Sequence, residues 1–154
     1  MIGRARGLGH PGLPASRPEL AALCRRLLRA LDLEGRDFDL RVVGDAEMAR
    51  LNRDYLGLPG PTNVLSFPAG DPDRPDSLGE MALSLDTVAR EAFLYGQDPA
   101  EHLARLLAHG FLHLAGLDHG PVMEALTDAA VAALRDADAP ASDRAVSPRP
   151  PQAG

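Results

Sequence analysis

Apolar positions along this chain recur with two different periods, and the switches between them mark out the elements. From Pro18 to Leu33, the residues Leu20, Leu23, Cys24, Leu27, Leu28 and Leu31 fall three or four apart, which predicts a helix with one buried stripe. Phe38, Leu40 and Val42 then alternate with Asp39 and Arg41, the pattern of a strand with a single buried face. Gly44-Asp45 closes that strand and opens a second helix over Ala46 to Tyr55, where Met48, Leu51 and Tyr55 share a side. A stiff loop with Gly57, Pro59, Gly60 and Pro61 leads to a short strand, Thr62 to Phe67, stopped by Pro68. After a Pro- and Asp-rich surface loop over 69–78, Glu80 to Leu85 alternates Met81, Leu83 and Leu85 against Ala82 and Ser84, a third strand. Asp86 is the expected cap of a helix from Thr87 to Tyr95, ended by Gly96. Asp98-Pro99-Ala100-Glu101 is a strong start for the next helix, whose buried stripe is Leu103, Leu106, Leu107 and Leu114. Pro121 opens a last helix to about Arg135, with Val122, Leu126, Ala129, Ala130 and Ala133 as its packing side.

Helices and strands in this order predict an α+β fold, a small mixed sheet covered by helices, rather than strict βαβ alternation. With 154 residues and 45% hydrophobic content, the chain has enough material for one core. Residues 1–17, rich in Gly, Pro and Arg, read as a flexible arm; 18–136 form the single domain; 137–154 read as a disordered tail. Cys24 lies on the first apolar stripe and reads as a packed, inert thiol, so no disulfide framework is expected. There is no secretory signal and no apolar run of membrane length, which predicts a cytoplasmic protein. Every basic residue is Arg. Residues 1–55 carry ten Arg against eight acids, while the rest carries six against fourteen, for a net charge of −6. That balance argues against a general nucleic-acid binder and leaves room only for a local basic patch in the first third.

The chemistry concentrates between Asp98 and His119. His109 and His113, four apart, stack on one face of the predicted helix. Gly116 supplies a left-handed turn at the helix end, so the chain can double back and bring His119 to the other two imidazoles. Three nitrogens around one point suit a zinc ion with its fourth position left to water, and nickel, copper or iron would also bind such ligands. The spacing H-x3-H-x2-G-x2-H is that of the metzincin zinc signature, except that Gly110 stands where metzincins carry the Glu that serves as base. RNA cleavage tolerates that loss better than peptide cleavage, because a neighbouring 2′-hydroxyl can act as nucleophile. Asp118 is a candidate to hold an imidazole N–H from behind, and Glu80 is a candidate carboxylate facing the cleft. His102 reads as an ordinary surface histidine, and His10 has no assignable role.

Three further stretches precede the histidines in order: Leu51-Asn52-Arg53-Asp54-Tyr55, Pro61-Thr62-Asn63-Val64-Leu65-Ser66-Phe67-Pro68, and Leu78-Gly79-Glu80-Met81. Together with the histidine block, residues 45–135 resemble the YbeY family of bacterial endoribonucleases. The resemblance implies one zinc-like ion on His109, His113 and His119. It also implies cleavage of single-stranded RNA in the maturation of ribosomal RNA (16S) and in ribosome quality control, with the small ribosomal subunit as partner. By the same resemblance Asn63 and Ser66 are candidate RNA contacts. The chain departs from the family pattern at Leu56, where the family carries Arg; Arg53, one helical turn earlier, is a candidate to supply that guanidinium for catalysis or RNA binding. Two other readings compete: a metallopeptidase, suggested by the metzincin spacing, and a ribosome-associated RNA-binding protein with little catalysis, suggested by Leu56 and the acidic charge.

Overall fold

The computed structural model describes residues 2–4, 12–14 and 16–138. In chain order the elements are β1 (Ile2–Arg4), α1 (Arg17–Ala30), β2 (Asp37–Val43), α2 (Asp45–Leu56), β3 (Val64–Pro68), β4 (Ser77–Ser84), α3 (Leu85–Tyr95), α4 (Pro99–Leu114) and α5 (Pro121–Asp138). The strands form one mixed sheet in the order β1-β2-β4-β3. β1 and β4 both pair with β2 in parallel, and β3 runs antiparallel along β4, with Ser66 opposite Met81 and Phe67 opposite Glu80. The fold is α+β as the pattern implies, and β3 is an edge strand.

The two sheet faces bury different cores. On one side Leu40, Val42, Met81 and Leu83 meet the apolar stripes of α1, α4 and α5, with Leu20, Leu27, Leu103, Leu107, Phe111 and Met123 fully buried. Each such side chain contributes about 1.5–3 kcal/mol of burial. Phe38 meets Phe111 edge-on at 5.0 Å. On the other side Val43, Leu65 and Ala82 pack under Met48 of α2. Among the described residues, no helix is long and apolar enough to cross a membrane.

Several expectations need correction. The first seventeen residues are not wholly a loose arm: Ile2–Arg4 adds a parallel strand to the free edge of β2, and Leu13 is buried in the main core. Three residues are too few to show an alternating period. β4 is buried on both faces, since Ala82 and Ser84 lie under α2 and α3 as surely as Met81 and Leu83 lie under α4; a strand flanked by two others and covered twice loses the polar face that alternation requires. The cap of α3 is Ser84, whose hydroxyl accepts the Thr87 N–H at 3.2 Å, and not Asp86. On α5 the packing side is Met123, Thr127, Ala130, Val131 and Leu134, with Val122 and Leu126 exposed. Thr127 looks polar in sequence but donates its hydroxyl to the Met123 carbonyl at 2.8 Å, so it packs as an apolar residue would. α5 also runs to Asp138, past the expected domain end. The expected disorder of the tail falls on 139–154, outside the described residues.

Candidate functional site

α4 is held at both ends by the devices its sequence announces. The Asp98 carboxylate accepts the Glu101 N–H at 3.0 Å, and Pro99 fills the first turn, where no N–H is needed. At the other end Leu117 N–H reaches back to the Leu112 carbonyl at 3.0 Å while Gly116 takes φ +97°, a conformation that favours glycine. The chain reverses there and returns His119 to the helix. Nε2 of His119 stands 3.2 Å from Nε2 of His113, with ring centroids 4.4 Å apart, and the His109 ring is 6.3 Å from that of His119.

The His113–His119 pair is spaced as two ligands of one metal ion would be. Two zinc–nitrogen bonds of about 2.0–2.1 Å at the tetrahedral angle put the nitrogens about 3.3 Å apart and the ring centroids about 5 Å apart. The His113–His119 nitrogens match the first value, and the two centroid distances straddle the second. His109 Nδ1 is buried without a hydrogen-bond partner. Among the described residues no group of three or more His, Cys, Asp or Glu side chains stands in an arrangement that could already hold a metal ion. Burial, and then the neighbouring His119 and His113, push the His109 pKa down and favour the neutral imidazole that a metal takes.

Gly110 explains itself in this setting. A Cβ there would stand 2.3 Å from Met81 Sδ, 3.4 Å from Ser66 Oγ and 3.5 Å from Val64 Cγ1. The position faces the sheet, so a larger residue would drive α4 off β3 and β4. Successive helix residues are rotated by about 100°. His102, His109 and His113 therefore lie on one side of Gly110, and Leu107, Phe111 and Leu114 on the other. The second set is buried in the core, so the histidines look outward past the free edge of β3. The site lies beside β3, at the rim of the sheet.

Of the candidate residues, Ser66 lies on β3 where its hydroxyl faces α4, 3.4 Å from where a Cβ on Gly110 would stand. Four others the structure does not bring to the histidines. Glu80 lies on the sheet face of Ala82, opposite α4, where it accepts from Arg41 Nε at 2.8 Å. Arg53 is exposed on α2, which covers that same far face, and its guanidinium pairs with Asp54 at 3.5 Å. Asp118 is exposed, and its carboxylate meets no imidazole among the described residues. Asn63 is committed inside the fold: its Nδ2 donates to Glu91 at 3.0 Å and its Oδ1 accepts the Val64 N–H at 2.7 Å. For Glu80, a place on a strand does not tell which face of the sheet carries the site.

One cluster was missed. His102 is not a surface residue: its side chain is 10% exposed, and Nε2 meets Glu91 Oε1 at 3.3 Å. Glu91 thereby ties the start of β3, through Asn63, to α4. The signal in the sequence was the seven-residue interval from His102 to His109, two helical turns on one face.

A mixed sheet with a two-histidine helix along its edge strand, and a third histidine returned by a glycine turn, defines the class: a small α+β hydrolase built on a histidine cluster. Comparison with known proteins agrees. The family described as Endoribonuclease YbeY matches residues 15–131. The Endoribonuclease YbeY of Oleidesulfovibrio alaskensis is 44% identical over 138 residues, covering 76% of this chain and 82% of its own length. That of Nitratidesulfovibrio vulgaris is 43% identical over 136 residues, covering 77% and 84%. A solution structure from Thermotoga maritima superposes with TM-score 0.57 at 25% identity, covering 90% of this chain and 94% of that one. The chain belongs to the YbeY family of endoribonucleases.

Proposed function

We propose that this chain is a metal-dependent endoribonuclease of the cytoplasm. It cuts single-stranded RNA in precursors of 16S ribosomal RNA on or near the small ribosomal subunit, with one zinc ion on His109, His113 and His119. The observation that carries the reading is the convergence of these three imidazoles at the sheet rim, open to solvent on the side of the exposed His119. The printed name of the relatives, Endoribonuclease, supports the substrate class.

A bound zinc ion supplies a Lewis acid for a phosphoryl oxygen and a water of near-neutral pKa. The chain's own residues do the rest. α4 carries His109 and His113 on one side, and the Gly116 turn returns His119 to them, beside the rim of β3 where a strand of RNA would lie. Ser66 presents its hydroxyl to α4 at Gly110. Gly110 stands where a metzincin carries its carboxylate base, which suits a substrate whose own 2′-hydroxyl can attack. The peptidase reading loses ground on the same feature, since a side chain at position 110 would point into Met81 and Ser66 rather than at the histidines.

The test is cleavage of a single-stranded RNA oligomer and of casein, with and without chelator. RNA cleavage is expected to vanish with chelator and in His113→Ala, by more than the roughly 10–100-fold that losing a mere outer-sphere partner costs a metal site. Chelator-sensitive digestion of casein, with RNA untouched, would overturn the proposal.

A further inference from the structure

Resting on the RNA-cleaving reading, we infer that Tyr55 is the stacking platform for a base of the single-stranded substrate, placed across the rim of β3 from the histidines. The chain has two Tyr, four Phe and no Trp. Tyr55 shares its helix side with the buried Met48, yet it is 65% exposed. Its ring meets that of Phe67 on β3 at 4.8 Å and 60°, while most of it stays open to solvent. The exposed Phe93 and Tyr95, at the end of α3, have no ring partner among the described residues.

The position is what assigns a ligand. Phe67 follows Ser66 on β3, and Ser66 lies over Gly110, the residue after His109. β3 has β4 on one side only. An RNA strand leaving the histidines over that free edge meets Tyr55 next, on the opposite face of the same short strand. Charge points the same way. The whole chain carries 16 Arg against 22 acids, a net charge of −6, so phosphate neutralisation supplies limited affinity. Base stacking, which is tolerant of sequence, is the contact open to a protein of this charge that holds single-stranded RNA.

The experiment compares the metal-loaded wild type with Tyr55→Ala, Tyr55→Phe and Tyr55→Trp on a short single-stranded oligouridine. Tyr55→Ala is expected to raise KM by roughly 5- to 100-fold with kcat nearly unchanged, and Tyr55→Phe and Tyr55→Trp to restore it. The Trp variant carries the only indole in the chain, so its fluorescence should be quenched as the oligomer binds, with a shallow dependence on salt. Wild-type cleavage with an unaltered KM in Tyr55→Ala, or an indole indifferent to saturating RNA, overturns the stacking role and leaves the nuclease reading standing. A wild type that neither binds nor cuts RNA overturns both.

Discussion

Asp45 shows how much one side chain can fix. At the first position of α2 its carboxylate accepts from Ser84 Oγ at 3.0 Å, Thr87 Oγ1 at 3.1 Å and Arg90 Nη1 at 2.6 Å. The starts of α2 and α3 are thus tied together where the parallel strands β2 and β4 end. The Arg90 guanidinium, then the two hydroxyls, hold the carboxyl below the usual aspartate range. A depressed folded pKa contributes stability above the ordinary value of about 3.9 and loses it as pH falls through the folded value. Asp45→Ala should therefore lower the Tm at pH 7 by about 3–6 °C, and the deficit should close as the pH is taken well below 4, by calorimetry on both proteins. Burial pushes the Cys24 thiol up to about 12, so native protein should resist iodoacetamide at neutral pH and react only once unfolded. Leu56, exposed at the end of α2 where the family carries Arg, should accept Arg without loss of Tm, and the variant should cut RNA faster in initial-rate assays. An unchanged rate would mean that another residue has taken the role. Single residues were legible in sequence only where a helix fixed their direction. His109 and His113 had to share a face, and Cys24 had to be buried. Glu80 and Asn63 sit on or beside strands, where the face depends on which neighbour pairs and which layer covers it.

At the scale of elements, α4 and β3 make the site by their closeness, and Gly110 permits it. Replacing glycine within a helix by alanine gains about 1 kcal/mol in propensity. Here the added methyl would meet the buried Met81 sulfur at 2.3 Å. Overpacking of that kind typically costs about 1–3 kcal/mol, so the clash should outweigh the gain. Gly110→Ala is expected to be less stable than wild type in urea unfolding, and Gly110→Glu to fold poorly rather than gain peptidase activity. A stable Gly110→Glu protein would show that the helix has room to spare. The elements between residues 17 and 138 were readable from period and punctuation, because Pro, Gly and capping residues mark nearly every end. The two-sided burial of β4 and the Ser84 cap of α3 were not, and neither were two further features. β1 is too short to carry a pattern, and the packing side of α5 turned on a threonine whose hydroxyl is satisfied by its own helix.

Over the whole molecule, two cores clamp a single sheet, and the histidine site lies at its open rim. Asn63, Glu91 and His102 join β3, α3 and α4 near the start of α4, and the three imidazoles gather near its end. The acidic surface sets the terms on which RNA is held. Cleavage should weaken less with added salt than the slope of about −0.7 per neutralised phosphate expected of a basic single-strand binder. Everything functional depends on whether the imidazoles of His109, His113 and His119 close on one ion. Native mass spectrometry of zinc-titrated protein tests that most directly. The wild type should take up one zinc per chain at micromolar concentration, and His119→Ala should need roughly 100-fold more or fail to load. Equal loading of wild type and His119→Ala, or no uptake by either, would contradict it.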